Sequence, residues 1–261
     1  VISADSYDDK KTTSVGIRGQ STEKSSGNMR WRVDVSSEFD EPITNNNSKS
    51  ISINTTDAPL RTLYVEGRPR WEYRYLKNLL VREGSIESST FLLTADPDFK
   101  QEGDRPINRL PSTEEEFLGW DVIVVGDIPP TTWTTTQAET IKKLVAQGDI
   151  SLVWLGGEHW GPNTWSQSPL ADMFPIQLPT HVSNSSDPFY CTPTQTGLDR
   201  AILGLETNNR NDTMYWKQVL QEDKLKPGVE ILASTQNLKS NGTEHHPILT
   251  SMRYGSGTSI Y

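Results

Sequence analysis

The stretch that most constrains the fold is Arg61–Arg82, RTLYVEGRPRWEYRYLKNLLVR. Leu63, Tyr64 and Val65 form a short apolar run that closes on Glu66-Gly67, with Pro69 two residues later. Such a run reads as a buried strand leaving a sheet through a tight turn. From Trp71 onward, Trp71, Tyr75, Leu76, Leu79 and Leu80 recur at helical spacing. Glu72 lies in the first turn and Arg82 in the last, the charge order a helix dipole favours. The unit is strand, turn, helix. Open α/β sheets place their ligand crevices at the carboxyl ends of strands, which puts Glu66, Arg68, Arg70 and Glu72 where chemistry is expected.

The same alternation continues. Residues 90–94 (TFLLT) read as a second strand, and the polar loop 95–111 is long enough to be functional or mobile. Ser112-Thr113-Glu114-Glu115-Glu116 supplies a cap and acids for a short helix whose apolar side is Phe117, Leu118 and Trp120. Residues 121–125 (DVIVV) form a strongly apolar strand ending in Gly126-Asp127, as buried parallel strands do. A helix over 136–147 carries Ile141, Leu144 and Val145 and stops at Gly148, and a fourth strand over 150–155 ends in Gly156-Gly157. This order predicts an α/β fold: a flavodoxin-like, doubly wound, mostly parallel sheet with helices on both faces. Farther on, 164–174 includes a short helix and 214–220 reads as another. Residues 229–234, 248–253 and 258–261 read as strands, the last two forming a hairpin on the sheet edge.

Ahead of this domain, which takes residues 59–261, lie two other segments. Residues 1–28 have almost no apolar period and are expected to be disordered or extended. Residues 29–58 alternate around Met29, Trp31, Val33 and Val35 and again around Ile51 and Ile53. They are expected to be β strands, the remnant of a small β-sandwich with a hinge at Asp57-Ala58-Pro59.

A net charge of -9 and a pI near 5.0 argue against nucleic acid or an anionic membrane as partner, since both require a cationic footprint. The single cysteine, Cys191, excludes an internal disulfide and a multi-cysteine zinc site. No apolar run reaches the length of a membrane span and no signal peptide is visible at Val1. The chain starts without Met and stops in the strand-like Gly257-Thr258-Ser259-Ile260-Tyr261, so it reads as a fragment of a longer protein.

Several of these segments together resemble the class I glutamine amidotransferase-like domain, in the form found in bacterial membrane proteins that also carry von Willebrand factor A modules. The resemblance rests on Leu63-Tyr64-Val65-Glu66-Gly67 with Arg70-Trp71-Glu72-Tyr73, residues 121–127, residues 152–157, Pro169-Leu170 with Phe174-Pro175, and residues 253–257. It spans roughly residues 60–261. It implies a soluble, periplasmic or otherwise extracytoplasmic part of a membrane-anchored protein. The implied partners are other domains of that protein or a protein complex, with no cofactor and no direct membrane contact by this fragment. Active members place a cysteine nucleophile on a sharp strand-to-helix turn. Here that turn is Gly156-Gly157-Glu158-His159-Trp160-Gly161, and neither Glu158 nor His159 can form the thioester that glutamine hydrolysis requires. The expectation is a catalytically silent domain used for ligand binding or assembly. The alternative is a hydrolase using Glu158, His159 and Asp127 with a metal or activated water.

A flavodoxin-like order makes the first and third strands neighbours, so one crevice would gather Glu66, Gly67, Arg68 and Arg70 with Gly126 and Asp127. The fourth strand would add Gly156, Gly157, Glu158, His159 and Trp160. The plain use of this set, in which Arg70 pairs with Glu66 or Asp127 and the glycines serve the turns, stands ahead of polar-ligand binding and of a hard cation. Glu244-His245-His246 reads as an exposed loop and Cys191 as a small semi-buried residue. Trp154, Trp160 and Trp165 read as packing residues ahead of a carbohydrate cleft.

Overall fold

A computed structural model of the chain describes residues 27–35, 47–55, 58–96, 98–180, 183–200, 213–215, 217–237 and 245–261. It divides into two units, Val1–Asp57 and Ala58–Tyr261. In the first, β1 (Gly27–Asp34) and β2 (Ser48–Thr55) pair antiparallel from Gly27 opposite Thr55 to Asp34 opposite Ser48. Val33 and Ile51 are exposed on this two-stranded ribbon. Of the segment expected to be disordered, 1–28, only Gly27 and Asn28 are among the described residues, and they open β1.

The second unit runs β3 (Leu60–Glu66), α1 (Trp71–Arg82), β4 (Ile86–Leu92), α2 (Glu114–Phe117), β5 (Val122–Val125), α3 (Thr135–Gln147), β6 (Ser151–Trp154), β7 (Ser183–Ser185), β8 (Phe189–Pro193), α4 (Gln195–Asp199), β9 (Lys217–Val219), β10 (Glu230–Asn237), β11 (Pro247–Tyr254) and β12 (Gly257–Ile260). Eight strands form one sheet in the order β4-β3-β5-β6-β12-β11-β10-β8. The five from β4 to β12 are mutually parallel and the three beyond pair antiparallel, so the fold is α/β with a mostly parallel sheet. The first and third strands, β3 and β5, are neighbours, with Val65 beside Val125.

Period-two alternation along these strands divides the core. Leu63, Val65, Ile123, Val125, Leu152 and Trp154 point to one face, where Ile141, Leu144 and Val145 of α3 cover them. Tyr64 and Val124 point to the other face and meet Tyr73 and Leu80 of α1. Helix α3 starts on a capping box, in which Thr134 and Gln137 each bond the other's backbone N–H, and ends on Gly148 at φ +88.

Several expectations need correction. The apolar residues of α1 do not share one face. Tyr73, Leu80 and half-buried Leu76 meet the sheet, while Trp71 and Tyr75 stack on the solvent side at 6.1 Å and Leu79 is exposed. Strand β4 begins at Ile86 rather than 90, because its polar Glu87-Ser88-Ser89 segment is satisfied by the following loop. Arg105 N–H bonds Ser88 O at 3.0 Å and Asp104 accepts from the Ser88 N–H and hydroxyl. The short helix expected within 164–174 is of the 3₁₀ kind, Pro169–Met173, and a second 3₁₀ turn, Pro162–Trp165, precedes it. Within 214–220 the described residues form a bridge at Met214 and the strand β9 rather than a helix. The terminal hairpin β11-β12 exists, but β12 is interior to the sheet. Gly257 and Ser259 are small enough to let it lie between β6 and β11 beneath α3. Among the described residues no helix is long and apolar enough to cross a membrane.

Candidate functional site

Three strand ends converge on two carboxylates. Glu66, the last residue of β3, is fully buried and accepts four hydrogen bonds: from Tyr64 Oη at 2.7 Å, Gly67 N at 2.9 Å, Asp127 N at 2.9 Å and Arg70 Nε at 3.0 Å. Arg70 is the N-cap residue of α1, and its Nη1 donates to Gly156 O at 2.8 Å. One guanidinium therefore ties the ends of β3 and β6 together, while Glu66 ties β3 to Asp127, the second residue after β5. Burial works against the Arg70 charge, but the Glu66 carboxylate more than offsets it and holds the guanidinium pKa above its ordinary value. The Nη2 of Arg70 is buried with no partner among the described residues.

Asp127 is the second centre and is nearly buried. It accepts from Trp160 N at 2.7 Å, from His159 Nδ1 at 2.9 Å and from His159 N at 3.2 Å, so the loop 157–160 is wound around one side chain. Burial pushes the Asp127 pKa up. The donors from Trp160 and His159, with the Arg70 charge nearby, outweigh it and hold the carboxyl below its ordinary range. Because an ionised carboxylate can only accept, His159 Nδ1 is the donor, and Nε2 is the ring nitrogen left on the other side. Arg68 Nη1 approaches that atom at 3.4 Å. The imidazole is about half exposed.

Two glycines make room for these carboxylates. A Cβ on Gly126 would lie 2.4 Å from Glu66 Oε2, and one on Gly157 would lie 2.1 Å from Asp127 Cγ. Both approaches are closer than any side chain permits. The glycine-acid alternation at the strand ends thus has a packing cause.

The structure places Glu66, Gly67, Arg70, Gly126, Asp127, Gly156, Gly157 and His159 in one connected network, with Arg68 at its margin. Glu158 and Trp160 are different. Glu158 is exposed and its carboxylate has no partner among the described residues, and the Trp160 ring is exposed while only its backbone joins Asp127. Trp154 and Trp165 lie in the core, 5.0 Å apart and against Phe174, so the three tryptophans do not form a carbohydrate cleft.

Gln218 of β9 was not foreseen. It is buried, donates from Nε2 to Gly157 O at 3.0 Å and accepts at Oε1 from the Tyr261 hydroxyl. It closes the loop after β6 from the side opposite Asp127, and nothing in its sequence neighbours marks it.

Cys191 sits on β8 at the far edge of the sheet, four strand positions from β6. At roughly 4.8 Å per strand that is on the order of 19 Å from the turn where a nucleophile would stand. Burial raises its thiol pKa, the opposite of activation. His245 faces the backbone of β10, its Nδ1 3.1 Å from Thr235 O, and the His246 N–H bonds the Thr235 hydroxyl at 3.1 Å. Among the described residues no three His, Cys, Asp or Glu side chains gather as metal ligands.

No family model matches the chain, and no curated protein matches it. Among solved structures, ten chains match. One is a protein described as thua-like, from Bacteroides uniformis ATCC 8492, with 14% identity, a TM-score of 0.46, and coverage of 80% of this chain and 83% of that one. Nothing about chemistry follows from a likeness of that size.

Proposed function

We propose that residues 58–261 are a non-catalytic, amidotransferase-like domain that serves ligand binding or protein assembly within a larger, membrane-anchored bacterial protein, in its extracytoplasmic part. One observation carries this reading. The turn after β6 presents no thiol or hydroxyl, and the two carboxylates beside it are consumed in holding the loop. What remains for a ligand is donor capacity: Arg70 Nη2, the Arg68 guanidinium and the rim of His159. The test is release of ammonia from glutamine. The expected outcome is none above the uncatalysed rate, and turnover lost on Cys191→Ser would overturn the reading.

A second reading is a hydrolase of different chemistry. It draws support from the Asp127–His159 pair, because a buried carboxylate on Nδ1 orients an imidazole with Nε2 facing outward, as general bases require. Glu158 has no group aligning it, which counts against its part in that scheme. Turnover of p-nitrophenyl acetate that falls to background in both His159→Ala and Asp127→Asn would establish the hydrolase. Equal rates in parent and variants would remove it.

A further inference from the structure

A second concave region lies away from the strand-end crevice, beneath the loop 95–111. It is a groove of about 680 Å³, open to solvent on one side, between the loop, the end of β4 and the segment around α2. That volume is in the range of small-molecule sites. The loop is not draped loosely over this space. Gln101 bonds both the N–H and C=O of Leu92, Thr90 N donates to Glu102 O at 3.0 Å, and Gln137 Nε2 holds Pro111 O at 2.7 Å. The cavity is therefore pre-formed, and a ligand entering it would not have to order its lid.

Its floor is apolar. Leu93 and Ile107 pack against the main core, and Phe91 and the buried Trp120 complete the wall. Of its basic residues, Arg109 is spent on Glu116, with Nη1 at 2.9 Å from Oε2 and a second contact from Nη2 to Oε1. Arg105 is not. Its guanidinium lies over the Trp120 ring at 5.3 Å, and its one ion pair among the described residues, to Glu87, is long at 3.9 Å. That contact holds the guanidinium in place while its N–H groups make no hydrogen bond among the described residues, the state in which arginine reads a carboxylate. Lys100 lines the same space with no partner among the described residues. The acids Asp96 and Glu115 also line it, and they are exposed, as Lys100 and Arg105 are.

We propose that this cavity is a binding site for a small organic monoanion with a flat apolar body, the body against Phe91, Ile107 and Trp120 and the carboxylate on Arg105 with Lys100 at its side. The site is independent of the strand-end crevice and needs neither His159 nor Asp127.

Isothermal titration calorimetry with indole-3-acetate, indole-3-acetamide and tryptamine tests it. The expected result is one saturable site per chain for the acetate, with the neutral and cationic analogues weaker by about tenfold or more. Arg105→Gln should bring the acetate down to the level of the amide. Ile107→Trp, which fills the space, should abolish binding with an unchanged far-UV circular dichroism spectrum. Arg105 is half exposed, so Arg105→Gln reports even if the filled variant does not fold. Absence of saturable binding, tryptamine binding tighter than the acetate, or acetate affinity unchanged in Arg105→Gln would overturn the proposal. Loss of binding in His159→Ala with retention in Arg105→Gln would put the ligand in the crevice and overturn it as well.

Discussion

The strand-end crevice and the loop-covered cavity are both built around arginine, but they use it in opposite ways. Arg70 is mostly buried, paired with Glu66 and bonded to a carbonyl in the turn after β6. Arg105 lies over a tryptophan ring and is half exposed, with one distant carboxylate among the described residues. In the first region the polar groups hold three strand ends in place, and removing one leaves several buried partners unsatisfied. In the second the walls are held by a separately stitched loop, so the arginine is free for something else. How far a polar group's bonding capacity is already used distinguishes a structural network from a binding surface better than residue type does.

Predictions that break or sharpen this contrast fall in order of size. Glu66→Ala strands Arg70, the N–H groups of Gly67 and Asp127 and the Tyr64 hydroxyl. It should cost about 3–5 kcal/mol of stability by urea unfolding, as breaking a buried ion pair does. A loss below that of an exposed pair would erase the distinction. Gly126→Ala drives a methyl into the Glu66 carboxylate and should cost about 1–3 kcal/mol, the range for overpacking.

Asp127→Asn keeps the shape but weakens three charge-assisted hydrogen bonds, and should cost about 1–2 kcal/mol near neutral pH. Its pH dependence follows from the lowered carboxyl pKa. A group held below its unfolded value contributes stability that is complete above about pH 4 and is lost as the pH falls through the lower folded value. The acid limb of the stability curve should therefore be steeper in the parent than in Asp127→Asn. At the other end of the scale, Arg105→Gln should change stability by no more than about 0.5 kcal/mol, because few bonds are lost. A large loss there would mean that the cavity arginine is structural after all.

Much of the parallel half of the sheet was legible along the chain. Leu63-Tyr64-Val65, Val122–Val125 and Leu152-Val153-Trp154 are continuous apolar runs closed by glycine, and runs of that kind are buried on both faces. Strand β4 was legible only at its end, because Ser88, Ser89 and Thr90 are polar yet fully buried under a loop that supplies their partners from 12 to 16 residues away. Helix α1 was readable as a helix but not in its orientation. Two apolar stripes are present, and the sheet selects the one containing Tyr73 and Leu80. Strand β12 looked like an edge because its residues are small and polar, whereas smallness is what allows it to lie inside.

The same division holds for the crevice. Its members could be named from the sequence because the carboxyl end of a strand is a position along the chain, and an acid next to a glycine there is visible without coordinates. The pairing could not be read in that way. That Glu66 would bind Arg70 and the Asp127 backbone, that Asp127 would take the His159 loop instead, and that Gln218 would close it from behind depend on packing across β3, β5 and β6 and on a strand some sixty residues farther on. Hydrophobic period and turn chemistry act between neighbours in sequence, and they settled that the segments of β3, β5 and β6 become strands and where those three strands end. Hydrogen-bond satisfaction acts between neighbours in space, so only the folded chain decided which polar groups are consumed and which remain open.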